Sequence, residues 1–197
     1  MPDTNDLIGD SGASAPDGPR IVPRLTTQAS LDATAAGTSS QAATHVREPL
    51  VGELIVTYVM EPAGVGQSLT HQHLHQLDVA EDGLRDLALA NLTNELSEIQ
   101  LGEHSHLMLV QTGGEREACT LLLEGLWDQL AANLDGDPAV GVPSQDMVLI
   151  ADTASAEALA ELRRAVPQLH DPDAANALSA QLFVWREEKW HILGSEY

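Results

Sequence analysis

The stretch "AVGVPSQDMVLIAD", Ala139 to Asp152, decides the fold. "AVGVP" (Ala139 to Pro143) and "DMVLIAD" (Asp146 to Asp152) read as two short strands across a tight turn. A hairpin of this kind builds an antiparallel pair, which a doubly wound parallel sheet does not use. Downstream, Thr153 or Ser155 caps a helix that runs to about Val166. "AQLFVWRE" and "KWHILG" then make a closing hairpin around Glu187-Glu188.

Upstream, "EACTLLLEGLWDQLAANL" (Glu117 to Leu134) reads as one long amphipathic helix, closed by Asp135-Gly136 and Pro138. "SHLMLVQT" (Ser105 to Thr112) is a strand stopped by Gly113-Gly114. In "AEDGLRDLALANLTNEL" (Ala80 to Leu96), Leu84, Leu87, Ala88, Leu92 and Leu96 recur at helical spacing. Glu81 and Asp82 fall in its first turn, where acids suit the helix dipole. "GELIVTYVM" (Gly52 to Met60) is rich in β-branched residues and reads as a strand, and Thr70 is a plausible N-cap for a short helix. The order predicts an α+β fold, with a mixed, mostly antiparallel sheet packed against about four helices.

Residues 1–44 differ from the rest. They are rich in Ser, Thr, Ala, Gly, Asp and Pro and carry no sustained apolar period. Such a segment buries too little apolar surface to offset the entropy of ordering it, so a disordered acidic tail is expected, followed by a single domain over 45–197. Within the tail, "RIVPRL" (Arg20 to Leu25) is an apolar-basic island that fits either a docking motif or chance. Five aspartates against Arg20 and Arg24 give the tail a net charge of −3, which leaves −18 of the total −21 for the domain.

Thirty acidic residues face nine basic ones, and Lys189 is the only lysine. Phosphate backbones and anionic lipid headgroups are repelled by such a chain, which argues against nucleic acid and membrane surfaces as partners. A protein partner with a basic surface fits the charge. Cys119 is the only cysteine, so the disulfide-stapled class is excluded. The first residues lack the basic and apolar regions of a signal peptide, no window is apolar enough to span a bilayer, and a cytoplasmic location is expected.

Several of these segments resemble the YtpQ-like bacterial family of unknown function. They are "LIVTYVMEP" (Leu54 to Pro62), the helix start Thr70 to Leu74, the pattern Gly83-Leu84, Leu87-Ala88-Leu89, Asn91-Leu92, and then "GGEREACTLLLEGLWDQL", "VGVPSQDMVLIAD" and "LSAQLFVWREEKWHIL". The similarity runs from about Pro49 to Leu193. It implies a bacterial, cytoplasmic, single α+β domain, and it supplies no catalytic residues.

The chemistry-bearing candidates are few. In "SLTHQHLHQLD" (Ser68 to Asp78), His71, His73 and His75 would share one face of a strand and could hold zinc or copper. On a helix only His71 and His75 lie four apart on one face, and the stretch is then a solvated surface. "GEHSH" adds His104 and His106 beside Glu103. The candidate metal set is therefore His71, His75, His104 and His106, with zinc as the ion, provided that the two pairs meet in space. Cys119 follows Gly113 and Gly114 near an expected helix start, where a thiol is activated; Glu115 and Glu117 oppose thiolate, and a buried inert thiol is the other reading. "DGDP" (Asp135 to Pro138) and "HDPD" (His170 to Asp173) lack calcium-loop spacing and read as turns. Phe183, Trp185 and Trp190 are expected to pack the core and a sheet edge. No hydrolase, zinc-protease or dithiol motif occurs. The sequence thus points to a non-enzymatic acidic interaction or adaptor module with no cofactor, an immunity- or inhibitor-type protein being a close variant of that reading. The alternative is a metal-dependent enzyme that uses the His71, His73 and His75 cluster.

Overall fold

The computed structural model describes residues 20–36, 45–61, 67–96, 98–114 and 116–194. The fold is α+β, and among the described residues every strand ladder is antiparallel. The strands are β1 (Arg20–Thr27), β2 (Arg47–Val51), β3 (Leu54–Glu61), β4 (Gln67–Ser68), β5 (Gln100–His104), β6 (Leu107–Gln111), β7 (Pro138–Ser144), β8 (Met147–Asp152), β9 (Leu182–Arg186) and β10 (Lys189–Ile192). The α-helices are α1 (Gln28–Ala36), α2 (His71–Leu77), α3 (Leu84–Glu95), α4 (Glu124–Ala131) and α5 (Ala156–Leu169). The strands divide between two sheets. A smaller one has the order β1-β3-β2, with β4 also on β3; a larger one has the order β10-β9-β7-β8-β6-β5.

Side-chain alternation decides which sheet face meets what. Val140, Val142, Val148, Ile150, Phe183 and Trp185 lie on one face of the larger sheet and share a core with Leu25, Leu54, Val56, Tyr58 and Met60 of the smaller one. Leu84 and Ala88 of α3 and Trp127 and Leu130 of α4 complete it. The intervening residues Ala139, Leu149 and Ala151 point the other way, onto Leu159, Leu162 and Val166 of α5. The central strands β7 and β8 are thus buried on both faces, which is why residues 147–151 are continuously apolar.

The turns follow local chemistry. Glu187 and Glu188 both have positive φ, 54° and 57°, as a two-residue turn requires between β9 and β10. Ser155 caps α5, its hydroxyl accepting the Ala158 amide at 3.2 Å. The aromatics pack as expected: Phe183 and Trp185 are buried, and Trp190 meets Trp127 edge-on with ring centroids 4.8 Å apart.

Two expectations are corrected. The disordered tail to residue 44 does not hold for Arg20–Ala36, which form β1 and α1; residues 1–19 and 37–44 lie outside the described residues. β1 pairs with β3 from Arg20↔Glu61 to Thr27↔Leu54, with Ile21, Val22 and Leu25 buried. Ile21 and Leu25 of "RIVPRL" are therefore part of the core while Arg24 stays exposed, and Pro23 is tolerated because β1 lies at an edge of the sheet among the described residues. The long helix over Glu117–Leu134 is also broken. Glu117–Leu122 is a 3₁₀ helix, Leu123 leaves helical geometry (φ −92°, ψ 77°), and α4 begins at Glu124. Side chains take carbonyls that an α-helix would need: Thr120 Oγ1 donates to the Glu117 carbonyl at 2.6 Å, and Trp127 Nε1 donates to the Thr120 carbonyl at 2.7 Å. All six residues of the 3₁₀ segment are buried, so the amphipathic reading fails there.

The seat of α5 depends on Gly141 in β7. A Cβ built there would lie 2.1 Å from Val166 Cγ2. Gly141→Ala is expected to lower stability by about 1–3 kcal/mol in urea unfolding, and a second change, Val166→Ala, should recover part of the loss. Gly125 in the first turn of α4 has nothing within 4 Å of an added Cβ, so Gly125→Ala should be neutral or stabilising by less than about 1 kcal/mol.

Candidate functional site

The histidine stretch is helical. Thr70 is the N-cap of α2, as expected: its side chain accepts the His73 amide at 3.3 Å, and the Thr70 amide donates to His73 Nδ1 at 3.2 Å. His73 is therefore spent on a capping box. His71 and His75 lie one turn apart and line a shallow depression with Asp78 and Glu81, where His71 Nδ1 sits 3.4 Å from Glu81 Oε2. His104 and His106 lie elsewhere, at the β5–β6 turn. The Ser105 hydroxyl and the His106 amide both donate to Glu161 Oε2 of α5, at 3.0 and 3.3 Å, and this ties the hairpin to the helix. Among the described residues no group of three or more His, Cys, Asp or Glu side chains is placed to hold a metal ion. The two histidine pairs are not brought together.

The acidic turns serve the backbone. Asp152 accepts the Asp135 and Ala154 amides at 3.1 and 2.8 Å, and Asp137 takes two hydrogen bonds from Arg186 at 2.8 and 2.7 Å. Asp171 Oδ1 accepts the Asp173 amide at 3.1 Å.

Cys119 sits in the 3₁₀ segment beneath β1, not at an α-helix start. It is buried, and its thiol donates to the Pro23 carbonyl at 3.5 Å. Burial pushes the thiol up to about 11, against the lowering pull of a backbone hydrogen bond at Leu25 and of the Arg116 charge. That is a packed thiol and not an activated one. Glu117 nearby reads in the sequence only as an acid that opposes thiolate, and the structure folds it inward. It is 6% exposed, and its Oε1 accepts the Thr112 amide and hydroxyl at 3.2 and 3.0 Å, while Oε2 has no hydrogen-bond partner among the described residues. Acidity near a glycine pair gives no hint that a carboxylate is folded inward.

A further feature was missed. α3 and α4 flank an open groove of about 570 Å³. Leu89 of α3, Leu122 and Leu123 of the connection, and Leu126 of α4 line it. Arg85 stands at its rim, but its charge is engaged inward: Arg85 Nη1 lies 2.8 Å from Glu48 Oε1, which also accepts the Tyr58 hydroxyl at 2.6 Å. Burial, reinforced by the Glu48 hydrogen bond, raises the Tyr58 pKa and keeps this phenol a donor. The other rim charges, Asp86 and Glu124, pair with no cation among the described residues. The sequence signal was present but ambiguous. Residues 85, 86, 89 and 93 share a helix face, yet Leu89 alone on that face does not announce a groove.

No family model, no curated protein and no solved structure matches the chain.

The Cys119 environment has a pH consequence. The unfolded thiol ionises near 9, its ordinary value, and the folded one near 11. The folded state therefore keeps a proton that the unfolded state has lost, and the stabilisation present below pH 9 declines as pH rises toward 11. Across that window wild type should lose roughly 2–3 kcal/mol more than Cys119→Ala, measured by urea unfolding at a series of pH values. Equal slopes for the two proteins would contradict the buried-thiol assignment.

Proposed function

We propose that the protein is a non-enzymatic interaction module whose groove between α3 and α4 receives a basic, amphipathic segment of a partner protein. The observation that carries the reading is the combination at one place of a leucine-lined groove and uncompensated rim carboxylates, Asp86 and Glu124, on a chain of net charge −21. Leucines give an apolar helix face something to bury against, and the acids favour lysine or arginine on its flanks. From Arg85 to Thr93 the α3 wall is about 12 Å long, enough for two turns of a docked helix. Long-range attraction to so acidic a body would speed association and make it sensitive to salt.

An adaptor, an immunity protein or an inhibitor that covers a basic enzyme surface would all work in this way. The segments resembling the YtpQ-like family are consistent with such a role, and with a bacterial, cytoplasmic setting, because that resemblance carries no catalytic residue. Among the described residues no helix is long and apolar enough to cross a membrane. The rival, an enzyme, has less support, because Cys119 is a buried, proton-holding thiol and, among the described residues, no three metal-ligating side chains are grouped.

The test uses the full chain and a fluorescent amphipathic helix of leucines and lysines, followed by anisotropy. Binding is expected at low salt, weakening at least about tenfold between roughly 50 and 500 mM NaCl. Leu126→Lys in the groove should weaken it by about tenfold or more, whereas Leu101→Lys on β5, an identical charge change at an exposed leucine outside the groove, should have a much smaller effect. Equal losses in the two variants would reduce the attraction to bulk charge and remove the groove from the account.

A further inference from the structure

We infer that a second cleft, between β1, β3 and the β7–β8 turn, binds a small oxyanion through Arg24 and Arg116. The cleft measures about 250 Å³, and its lining includes Arg24, Val59, Glu61, Arg116, Cys119 and Gln145. Its charge runs against the rest of the chain. Three of the nine basic residues, Arg20, Arg24 and Arg116, lie at or beside it, and two of them, Arg20 and Arg116, meet the carboxylates Glu61 and Glu95. Arg116 pairs with Glu61 through Nη2 and with Glu95 through Nε at 3.1 Å, and Arg20 also reaches Glu95 at 3.4 Å. These pairs consume both acids. Arg24 is left with no carboxylate among the described residues, so one positive charge stands uncancelled where a body of net −21 makes a cation an exception.

The arginines also retain unspent donors. Arg24 uses Nη2, donating to Gln145 Oε1 at 3.1 Å; its Nε and Nη1, and Nη1 of Arg116, have no partner among the described residues. Guanidinium N–H groups in a fixed fork match the oxygens of a carboxylate or a phosphate. The fork is held in place beforehand. Gln145 accepts from Arg24 and, through Nε2, donates to the Leu25 carbonyl at 3.3 Å, so one amide ties the guanidinium to the strand that carries it. The two carboxylates that lock Arg116 do the same for the other side. Val59 and the protonated Cys119 give the cleft apolar wall and add no negative charge. The volume suits a single phosphate or a short carboxylate with some of its water, and falls below the usual range for drug-sized ligands.

The experiment is thermal unfolding of the full chain with inorganic phosphate or with oxalate, ionic strength being held constant with NaCl, and calorimetric titration of whichever anion acts. The expected result is a saturable rise in Tm of a few degrees with at least one anion. Phosphate alone would assign a phosphoryl group to the cleft, and oxalate alone a carboxylate. Arg24→Gln should abolish the rise. Gln145→Glu, which sets a carboxylate against Arg24, should abolish it independently and keeps the test open if the first variant does not fold. No rise with either anion, or the same unsaturable rise in wild type and in the folded variants, would overturn the assignment.

Discussion

The pairing of β1 with β3 is the constraint on which much of the molecule rests. β1 contributes Ile21 and Leu25 to the core that joins the two sheets, and among the described residues its other edge has no strand beside it. The carbonyls of alternate residues there are met by side chains from three separate elements. Asn91 of α3 donates to Ile21, Cys119 of the 3₁₀ segment to Pro23, and Gln145 of the β7–β8 turn to Leu25, at 2.8, 3.5 and 3.3 Å. Pro23 has no N–H to leave unpaired on that edge. An exposed edge is a template for pairing with another chain, and this one is closed by side chains rather than by a further strand. The same contacts fix α3, the 3₁₀ segment and the turn relative to one another, and so shape both the leucine groove and the arginine cleft.

Charge is distributed in a way that composition does not reveal. An excess of carboxylates would strain the compact state by self-repulsion, and the few arginines are placed where they relieve it. Arg20 and Arg116 cross-link the ends of β1, β3 and α3, Arg85 ties α3 to Glu48 of β2, and Arg186 holds Asp137 at the start of β7. Each pair is partly exposed and contributes modestly by itself, on the order of 1 kcal/mol or less. Their larger effect is positional: among the described residues, Asp86 and Glu124 at the groove rim and Arg24 at the cleft are left without an ion-pair partner.

Elements defined by near neighbours in the chain were legible in the sequence. The β7–β8 and β9–β10 hairpins, the Thr70 and Ser155 caps and the α3 period all rest on contacts a few residues apart, so local chemistry suffices to read them. What was misread depends on distant contacts. "RIVPRLTT" contains a proline and shows no alternation, and it is a strand because β3, residues 54–61, supplies its ladder. "EACTLLLEGLW" has helical composition throughout, yet Thr120 and Trp127 divert its carbonyls and a buried 3₁₀ turn replaces the first part of the helix.

The sequence by itself determined the class, the acidity and the absence of a disulfide within it, because these follow from composition, from the period of apolar residues and from a single cysteine. Only the tertiary structure decided which side chains share a space. It kept His71 and His75 apart from His104 and His106, folded Glu117 inward, and brought Arg24 and Arg116 to one cleft from positions far apart in the chain. The physical reason is that proximity in three dimensions is set by which apolar faces bury against each other, and that choice is made between segments, not within them.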